Sequence, residues 1–390
     1  MGRPTHLTDA DVEQLGAELD ALRDEVMNSL GKDDARYIYR VLNTQRFSEV
    51  AGRALLFAGI LPPAWLAGTA LLSLSKILEN MEIGHNAMHG QWDWMQDPAL
   101  DSATYDWDNT CPGREWKHSH NYMHHTYTNI VGMDRDLGYS ILRMSEDQKW
   151  NPAFLFQPFY VLVLAAFFQW GVALHDLEWE RLGKDKSYAE ALSQGRDIWR
   201  KVRRQVLKDY VLFPVLAGPM APFVFSGNLV ANFNRNVWSF LIIFCGHFTE
   251  QAEMFRIEET ENETQGEWYL RQMLASSNVN GSVPFHVLTG HLGYQIEHHL
   301  FPDMPSNRYR EIGPKIQAIA ERYNLNYNTG PFSKQLGGVA KRILRMALPH
   351  RRKRKGPMPS SIHHERPAPK TQAQRRTRTN GAAATAAATH

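Results

Sequence analysis

The chain has 390 residues and a nearly balanced charge, with 43 lysines and arginines against 41 aspartates and glutamates. Its two cysteines, Cys111 and Cys245, exclude a disulfide framework and indicate a reducing, cytoplasm-facing location. The first 45 residues hold no apolar core of a signal peptide, so we do not expect export through a cleavable signal.

The N-terminal segment, residues 1–46, is polar and begins with a helix-capping pattern. Thr8 precedes Asp9 and Asp11, which is typical of an N-cap followed by an acidic first turn. We therefore predict that this segment is helical and lies in the cytoplasm.

Apolar stretches dominate much of the chain that follows. A single membrane-spanning helix needs about 20 apolar residues. The stretch 51–78 is interrupted only by Pro62 and Pro63, where we expect two helices to meet in a hairpin. We predict an all-α membrane protein with four spanning helices, at about 47–61, 63–83, 208–226 and 231–249.

Seven histidines lie in three short clusters, each close to an apolar stretch. Residues four apart lie on one helix face, so a cluster with this spacing presents its imidazoles together. The clusters are His85 and His89, then His120, His124 and His125, and finally His298 and His299. Imidazole is a common ligand of iron and zinc, and seven imidazoles exceed the needs of one four-coordinate zinc ion. The number of histidines therefore indicates two metal ions.

The apolar stretch 153–174 lies between the second and third clusters, and we do not expect it to cross the membrane. Clusters that share metal ions must lie on one side of a membrane, so an even number of crossings must separate them. Basic residues flank this stretch on both sides, from Arg143 to Lys208, and loops rich in lysine and arginine stay in the cytoplasm. We therefore predict an interfacial or re-entrant segment at 153–174, with both termini and the metal site on the cytoplasmic side.

Further residues are candidates for the metal site. His247 stands near the end of the last apolar stretch, where a polar group is costly and usually functional, and we predict that it is an eighth ligand. Gln295 stands three residues before His298, and its side chain is a candidate for a weak or water-mediated ligand. Metal-bound imidazoles usually donate their second N–H to a carboxylate, a carbonyl or water. The acids that lie near the clusters in sequence are Glu82, Asp136, Glu250 and Glu297.

The C-terminal segment, residues 341–390, carries thirteen basic residues and a single acid, Glu365. Such a composition cannot bury enough apolar surface to fold alone, so we predict a disordered tail. Its positive charge suits the anionic face of a membrane. We expect no nucleic-acid partner, because no aromatic residue accompanies the basic ones. The membrane-embedded catalytic unit is then residues 47–340.

A carboxylate-based metal site is the alternative to an imidazole-rich one. Soluble di-iron bundles use Glu-x-x-His pairs, and Glu82 with His85 and Glu115 with His118 match that spacing. A carboxylate site would leave most of the clustered imidazoles without a role, so we favour the imidazole-rich centre. Activation of dioxygen at an unactivated C–H bond needs a redox metal with open coordination positions, which excludes zinc.

The three clusters, together with the segments 79–94, 268–273 and 295–307, resemble the membrane fatty-acid desaturases. The resemblance covers residues 34–336 and is strongest to the actinobacterial stearoyl-CoA delta-9 branch. It implies a cytoplasmic cap that holds two iron ions on four spanning helices, with the seven clustered histidines and His247 as ligands. It also implies that O2 and two electrons remove two hydrogens from a saturated long-chain acyl substrate to form a cis double bond.

The same resemblance bears on the ligand set, the electron donor and the location. Gln295 departs from relatives that have histidine at this position, which leaves the ligands of one iron open. The His-Pro-Gly-Gly motif of fused cytochrome b5 domains does not occur in the chain. The resemblance then implies a separate donor, either an NADPH-dependent flavin and iron–sulfur reductase or a ferredoxin. It implies a multi-pass protein of the bacterial plasma membrane.

Two other classes of protein stay open. A membrane di-iron hydroxylase of alkyl, sterol or carotenoid substrates would use the same oxidant and leave a hydroxyl group instead of a double bond. A metal transporter or zinc-binding receptor is the non-enzymatic alternative. Transporters place their ligands near the membrane midplane on broken helices, whereas the clusters here lie outside the predicted spans. The acyl carrier and the double-bond position are open as well.

Overall fold

The computed structural model describes Pro4 and residues 6–349, and nearly all of their regular structure is helical. The all-α class predicted from the sequence is confirmed. The α-helices are α1 (Asp9–Asn28), α2 (Lys32–Leu56), α3 (Pro62–Leu78), α4 (Asn86–Met88), α5 (Gly113–Trp116), α6 (His125–Tyr127), α7 (Gln157–Ala166), α8 (Phe168–His175), α9 (Tyr188–Val206), α10 (Phe213–Leu216), α11 (Ala221–His247), α12 (Gln265–Ala275), α13 (Val283–Leu288), α14 (Gln295–Leu300), α15 (Tyr309–Arg322) and α16 (Phe332–Ala347).

Three π-helical segments link some of these helices without a break. They are Glu79–His85 between α3 and α4, Lys117–His124 between α5 and α6, and Leu207–Leu212 between α9 and α10. Two three-residue strands, β1 (Asn278–Asn280) and β2 (Thr329–Pro331), pair in parallel. A π-helical turn is rare and often marks a functional site, and two of the three carry histidine clusters.

The long helices α2, α3 and α11 form a bundle. Small residues allow α2 and α3 to approach closely, because a Cβ added at Gly52 would lie 2.9 Å from the Gly68 carbonyl oxygen. A Cβ added at Gly227 of α11 would lie 2.5 Å from the Leu56 side chain, so glycine is needed at this crossing as well. The bundle positions the end of α3 and the end of α11 next to each other.

Two helix boundaries differ from the predicted spans. α2 begins at Lys32 and ends at Leu56, so the predicted span 47–61 covers only its second half and the turn that follows. The predicted break between the third and fourth spans, at 227–230, lies inside α11. The chain instead turns at 217–220, where Gly218 has a φ of 55° and Pro219 follows. Glycine adopts this left-handed conformation without strain and proline lacks an N–H, so the helix ends there although hydropathy does not fall.

Within the described residues, no single helix has both the length and the apolar composition of a membrane span. One bent pair, Pro152–Ala166 with Phe168–His175, passes the same test when the two helices are taken together, and the bend between them is 101°. This pair is the stretch 153–174 for which the sequence predicts an interfacial or re-entrant segment, and its place relative to a membrane stays a prediction.

The N-terminal helix α1 packs on the part of the fold that carries the third histidine cluster. Thr8 caps it as predicted: its Oγ1 accepts a hydrogen bond from the Asp11 backbone N–H at 3.2 Å, and the Asp11 carboxylate accepts one from the Thr8 backbone N–H at 2.8 Å. Leu15, Leu19 and Val26 of α1 are buried in one apolar core with residues of α12, α14 and α15. The helices α1, α12, α14 and α15 therefore pack as one unit around the third histidine cluster.

The C-terminal helix α16 corrects the predicted start of the basic tail. The sequence predicts disorder from residue 341, but α16 continues to Ala347 and buries Val339, Ile343 and Met346 against the rest of the protein. A charge count does not detect this helix, because its exposed face carries the basic residues and its buried face carries the apolar ones. Residues 350–390 of the predicted tail lie outside the described residues.

We expect Gly266→Ala to loosen the packing of α1 on α12, because a Cβ at position 266 would overlap the Val12 carbonyl oxygen. A forced backbone shift of this kind costs about 1–3 kcal/mol of folding stability. Gly195→Ala in α9 is the matched control, because a Cβ there meets nothing within 4 Å. Thermal unfolding of the full-length protein should show a lower midpoint for Gly266→Ala only. Equal midpoints for the two variants would contradict this packing.

Candidate metal centre

Four helical ends deliver the predicted ligands to one place. His85 ends the π-helical segment after α3, and His89 follows one turn later. The second cluster lies at the junction of the segment Lys117–His124 with α6. His247 is the last residue of α11, and the third cluster lies on α14. All eight histidines are therefore presented from helix termini or from irregular turns, where the backbone can direct neighbouring side chains towards one centre.

The ring nitrogens of the histidines form two neighbouring groups. In the first group, one nitrogen from each of His85, His89, His120 and His298 lies within 4.8 Å of the others. In the second group, His124, His247 and His299 satisfy the same limit. Nitrogens that share one metal ion at about 2.1 Å lie no more than about 4.2 Å apart, so each group is near the size of one coordination sphere.

His125 lies between the two groups. Its ring nitrogens come within 4.8 Å of those of His298, which belongs to the first group, and His299, which belongs to the second. Its ring also stacks on that of His299, with 4.3 Å between the ring centroids. The ring of His125 therefore contacts both groups.

The protonation and hydrogen bonding of these rings fit metal ligation. Burial, with His120 nearby, lowers the pKa of His85 to about 3, and burial holds the pKa of His89 and His298 well below the usual value. The rings are therefore neutral at pH 7 and offer lone pairs. Among the eight predicted ligands, the buried ring nitrogens without a hydrogen-bond partner in the described part of the chain are Nε2 of His89, His120 and His298, Nδ1 of His247, and both nitrogens of His125.

Two aspartates on the loop after the second cluster orient two of the rings. Asp136 lies 3.2 Å from His120 Nδ1, as the sequence predicts. Asp134, which sequence reasoning missed, accepts from His124 Nδ1 at 3.0 Å and also from the Asn129 backbone N–H. Burial alone would lower the pKa of His124, but the Asp134 carboxylate outweighs it and the pKa is raised. Both aspartates therefore hold the Nδ1 side of a ring and leave Nε2 for a metal.

Two further ring partners come from α12 and α15. His299 Nδ1 lies 3.0 Å from the Gln272 side-chain oxygen, and His298 Nδ1 lies 3.4 Å from the Tyr309 hydroxyl. Asp134 and Tyr309, like Asp136, lie close in sequence to a histidine cluster, and this closeness is a signal that could have found them. Gln272 has no such signal, because only the tertiary fold brings α12 to the His299 ring.

Three acids predicted as ring partners make no hydrogen bond to a predicted ligand among the described residues. Glu82 accepts from Tyr37, Ser306 and His291, and its carboxylate faces away from the metal side of its helix. Glu297 accepts from Tyr327 and Asn278. Glu250 pairs with Lys341 at the surface. Closeness in sequence does not identify ring partners here, because neighbouring residues on a helix point to different faces.

The structure does not support a metal site built from the two Glu-x-x-His pairs. Glu82 is bound to His291 rather than placed with His85. Glu115 accepts from the Gln194 side chain at 2.8 Å, and the His118 ring stacks on Tyr122. Neither Glu-x-x-His pair belongs to a group of ligand atoms, whereas every predicted histidine ligand does. The centre is therefore imidazole-rich.

Gln295 belongs to the second group of rings. Its Nε2 lies 2.9 Å from His247 Nε2, which itself lies 3.1 Å from His299 Nε2. Its Oε1 is buried and has no hydrogen-bond partner among the described residues. The Gln295 side chain occupies the space beside Gly246, where an added Cβ would lie 2.8 Å from it and force it to move. The fold thus makes room for this glutamine beside two imidazoles.

A narrow cavity of about 50 Å³ reaches the histidines from one side. Its apolar walls include Trp107, Trp116 and Phe168, and its lining also includes His85, His120 and His247. Trp116 stacks on the His120 ring, with 4.4 Å between the centroids. An apolar wall beside the candidate metal centre suits an apolar substrate group, and a cavity of this size holds only a short part of a hydrocarbon chain.

The fold and the site together define a helical protein with a buried, histidine-rich site whose ring nitrogens form two neighbouring groups. The profile of the family described as fatty acid desaturase matches residues 61–331. The chain belongs to the fatty acid desaturase family and is an enzyme of this oxidoreductase class, which confirms the resemblance seen in the sequence.

Individual relatives agree with this assignment. The chain is 47% identical over 349 residues to a Mycobacterium tuberculosis protein named NADPH-dependent stearoyl-CoA 9-desaturase. The aligned region covers 88% of this chain and 82% of the relative. It is 27% identical over 286 residues to the sn-1 linoleoyl-lipid 6-desaturase of a Synechocystis strain, which covers 71% and 79% of the two chains. The two relatives are named for different acyl carriers.

We expect Asp134→Asn to weaken metal binding, because the amide no longer supports the His124 ring as a carboxylate does. Loss of such a ring partner typically lowers metal affinity or activity by about 10- to 100-fold. Glu250→Gln is the matched control, since this acid lies at the surface beside Lys341. Metal bound per chain would be measured at increasing chelator concentration. Equal chelator sensitivity of the two variants would contradict the role of Asp134.

Proposed function

We propose that this enzyme is a membrane di-iron fatty acyl desaturase that introduces a cis double bond into a saturated long-chain acyl group, delivered as acyl-CoA and modified at the delta-9 position. The observation that carries the proposal is the convergence of eight buried imidazoles in two groups. The name and 47% identity of the mycobacterial relative support the substrate. In the reaction two C–H bonds break and one C=C bond forms, while O2, two external electrons and two protons end as two waters.

The two groups of imidazoles are the proposed iron ligands. His85, His89, His120 and His298 would hold one iron, and His124, His247 and His299 the other, with His125 between them. Bound iron would supply the redox chemistry that activates O2. Gln295 is the proposed weak or water-mediated ligand of the second iron, because its unpaired oxygen is buried beside His247. Asp134 and Asp136 keep the coordinating nitrogens of two rings directed inward.

The cavity beside the histidines would hold the reacting carbons of the acyl chain. Trp107, Trp116 and Phe168 give it an apolar wall that excludes water from the reacting carbons. Its contact with His85, His120 and His247 would bring a methylene pair next to the metal ions. A hydroxylase needs the same arrangement, and the product therefore decides between the two activities.

We also propose that the helical bundle crosses the bacterial plasma membrane four times, with both termini and the metal centre on the cytoplasmic side. The corrected spans are the second half of α2, α3, the region around α10, and α11. Support comes from large apolar side chains that the bundle exposes, which monomeric soluble proteins rarely gather in one region. Those side chains are Phe47, Val50, Leu61, Leu66, Val215, Leu216, Phe225, Leu229 and Phe233. The segment 153–174 would lie at the interface.

The two electrons are proposed to come from a separate protein. The mycobacterial relative is named as NADPH-dependent. This name supports either an NADPH-dependent reductase with a flavin and an iron–sulfur centre or a ferredoxin as the partner. The lipid bilayer and the long-chain acyl substrate are the other proposed partners, and no nucleic acid is among them.

Expression in a desaturase-deficient bacterial host tests the activity. We expect a new cis-monoene, with the double bond mapped to carbon 9 by mass spectrometry of the fatty acids. His124→Ala should abolish the product while the protein stays in the membrane fraction, because one imidazole of the second group is lost. His118→Ala is the matched control, since that ring stacks on Tyr122 outside both groups. A hydroxylated fatty acid, or full activity of His124→Ala, would overturn the proposal.

The Gln295→Leu variant tests the second metal position. We expect the first iron to remain bound and the affinity for the second to fall by about 10-fold, because leucine has the size of glutamine but no donor atom. Gln194→Leu is the control, as that glutamine bonds to Glu115 at a distance from the rings. Iron per chain and the Mössbauer spectrum would be recorded for both. An unchanged spectrum for Gln295→Leu would exclude glutamine as a ligand.

A further inference from the structure

One carboxyl group in the wall of the histidine cavity does not hold a histidine ring. Asp176 follows the last residue of α8 and is buried, with 5% of its surface exposed. It lines the cavity together with Phe168 and Val172 of the same helix. Residues four apart share one helix face, so α8 presents this acid to the space that His85 and His120 also contact.

The two carboxyl oxygens of Asp176 have different surroundings. Oδ2 accepts a hydrogen bond from the Cys111 thiol at 2.8 Å. Oδ1 is buried and has no hydrogen-bond partner among the described residues. Burial, together with the neighbouring Asp176, holds the pKa of the Cys111 thiol well above its usual range, so the thiol stays protonated and remains a donor. A proton bound to Asp176 is therefore carried by Oδ1.

No cation forms a salt bridge with this carboxyl group among the described residues. Arg135, on the loop after the second cluster, pairs with Glu178 at 3.2 Å instead. Burying a charge without a partner is costly, so the carboxyl group favours its neutral form. Burial raises the pKa of Asp176 to about 7, opposed by the hydrogen bond from Cys111 and assisted by the Asp136 carboxylate. An acid with this pKa can give and recover a proton at neutral pH.

The backbone on both sides of Asp176 is fixed. The Arg135 guanidinium donates a hydrogen bond to the His175 carbonyl oxygen at 3.0 Å. Glu178 has a φ of 47°, a left-handed conformation that is strained for a residue with a side chain and that is often found at functional sites. Its carboxylate is held by Arg135 and by Arg181, the latter at 2.8 Å. The turn after α8 therefore keeps Asp176 at a defined point of the cavity wall.

The other groups of the cavity wall that could carry a proton are less suited to donate it. Asp136 lies 3.2 Å from His120 Nδ1 and orients that ring. Burial holds the pKa of Tyr139 well above its usual range, so its hydroxyl keeps its proton. Arg235 is a guanidinium, which is not deprotonated in proteins. The histidines of the wall are the proposed iron ligands. Asp176 is the acid of this wall that is left for proton transfer.

We propose that Asp176 supplies protons to the oxygen atoms that leave the reaction as water. The inference rests on the proposed function, in which O2 takes up two electrons and two protons in addition to the two hydrogens of the acyl chain. In each transfer the O–H bond at Oδ1 breaks, an O–H bond of water forms, and Asp176 is left as a carboxylate. Solvent returns a proton to Asp176 before the next transfer.

Infrared titration of the full-length, metal-free protein in detergent tests the proton on Asp176 without turnover. The carbonyl band of protonated carboxyl groups would be followed between about pH 5 and pH 9, above the range in which exposed acids titrate. We expect a band that is lost as the pH rises through about 7 and that is missing in Asp176→Asn. The titratable and charged side chains that act on it are Cys111, Arg135, Asp136 and Tyr139.

Cys111→Ser assigns the band without removing the acid. A hydroxyl is a stronger hydrogen-bond donor than a thiol and favours the carboxylate, so the midpoint should fall. Asp197→Asn is the matched control, because Asp197 pairs with the exposed Arg200 on α9 and its loss should leave the band unchanged. A wild type without such a band, a band that persists in Asp176→Asn, or a midpoint that Cys111→Ser leaves unchanged would overturn the proposal.

Steady-state kinetics of the iron-loaded enzyme test whether this proton is used. Asp176→Asn should lower kcat by about 100-fold or more, while KM for stearoyl-CoA and iron per chain stay within about twofold of the wild type. Asp176→Glu keeps the acid and should retain at least about a tenth of the wild-type kcat. The wild-type kcat should fall as the pH rises through about 7, because a deprotonated Asp176 has no proton to give. Asp197→Asn should behave as the wild type.

The outcomes separate this inference from the proposed function. Wild-type kcat in Asp176→Asn, with an active wild type, would overturn the inference alone. A wild type that forms no double bond would overturn the proposed function and the inference with it. If Asp176→Asn does not fold, Cys111→Ser decides. A fall of kcat that moves to lower pH together with the infrared midpoint supports the inference, and a kcat profile that does not follow the midpoint contradicts it.

Discussion

The structure depends on the burial of imidazole nitrogens that the protein itself leaves without partners. Leaving one buried polar group unsatisfied costs roughly 1–3 kcal/mol, and several such nitrogens from His89, His120, His125 and His298 lie within one region. We propose that metal ions offset this cost, because a lone pair that lacks a hydrogen bond can form a coordination bond. The two groups of rings and the space around them follow from this requirement.

The surrounding elements are arranged to present those lone pairs. The π-helical turns bring neighbouring histidines of one segment towards the same point, and α11 and α14 end at the same place. Asp134, Asp136 and Gln272 occupy the opposite side of three rings. The apolar cavity meets the centre on the side of His120.

The sequence predicts the parts of this arrangement that are local, and it does not predict the parts that depend on tertiary contacts. The spacing within each cluster indicates the histidine ligands, and a capping pattern indicates the start of α1. Gln272 reaches the His299 ring only through the packing of α12, so closeness to a cluster does not point to it. Glu82 shows the opposite case. It adjoins the first cluster in sequence, but its carboxylate accepts a hydrogen bond from His291. Hydropathy likewise predicts the break between the third and fourth spans at 227–230. The chain turns at 217–220 instead, because Gly218 and Pro219 end the helix there.

The most direct test is anomalous X-ray diffraction from crystals of the iron-loaded protein, recorded on both sides of the iron absorption edge. We expect two iron peaks per chain: one among His85, His89, His120 and His298, the other among His124, His247 and His299. A single peak, or a signal that appears only at the zinc edge, would contradict the two-iron centre and with it the oxygen-dependent chemistry.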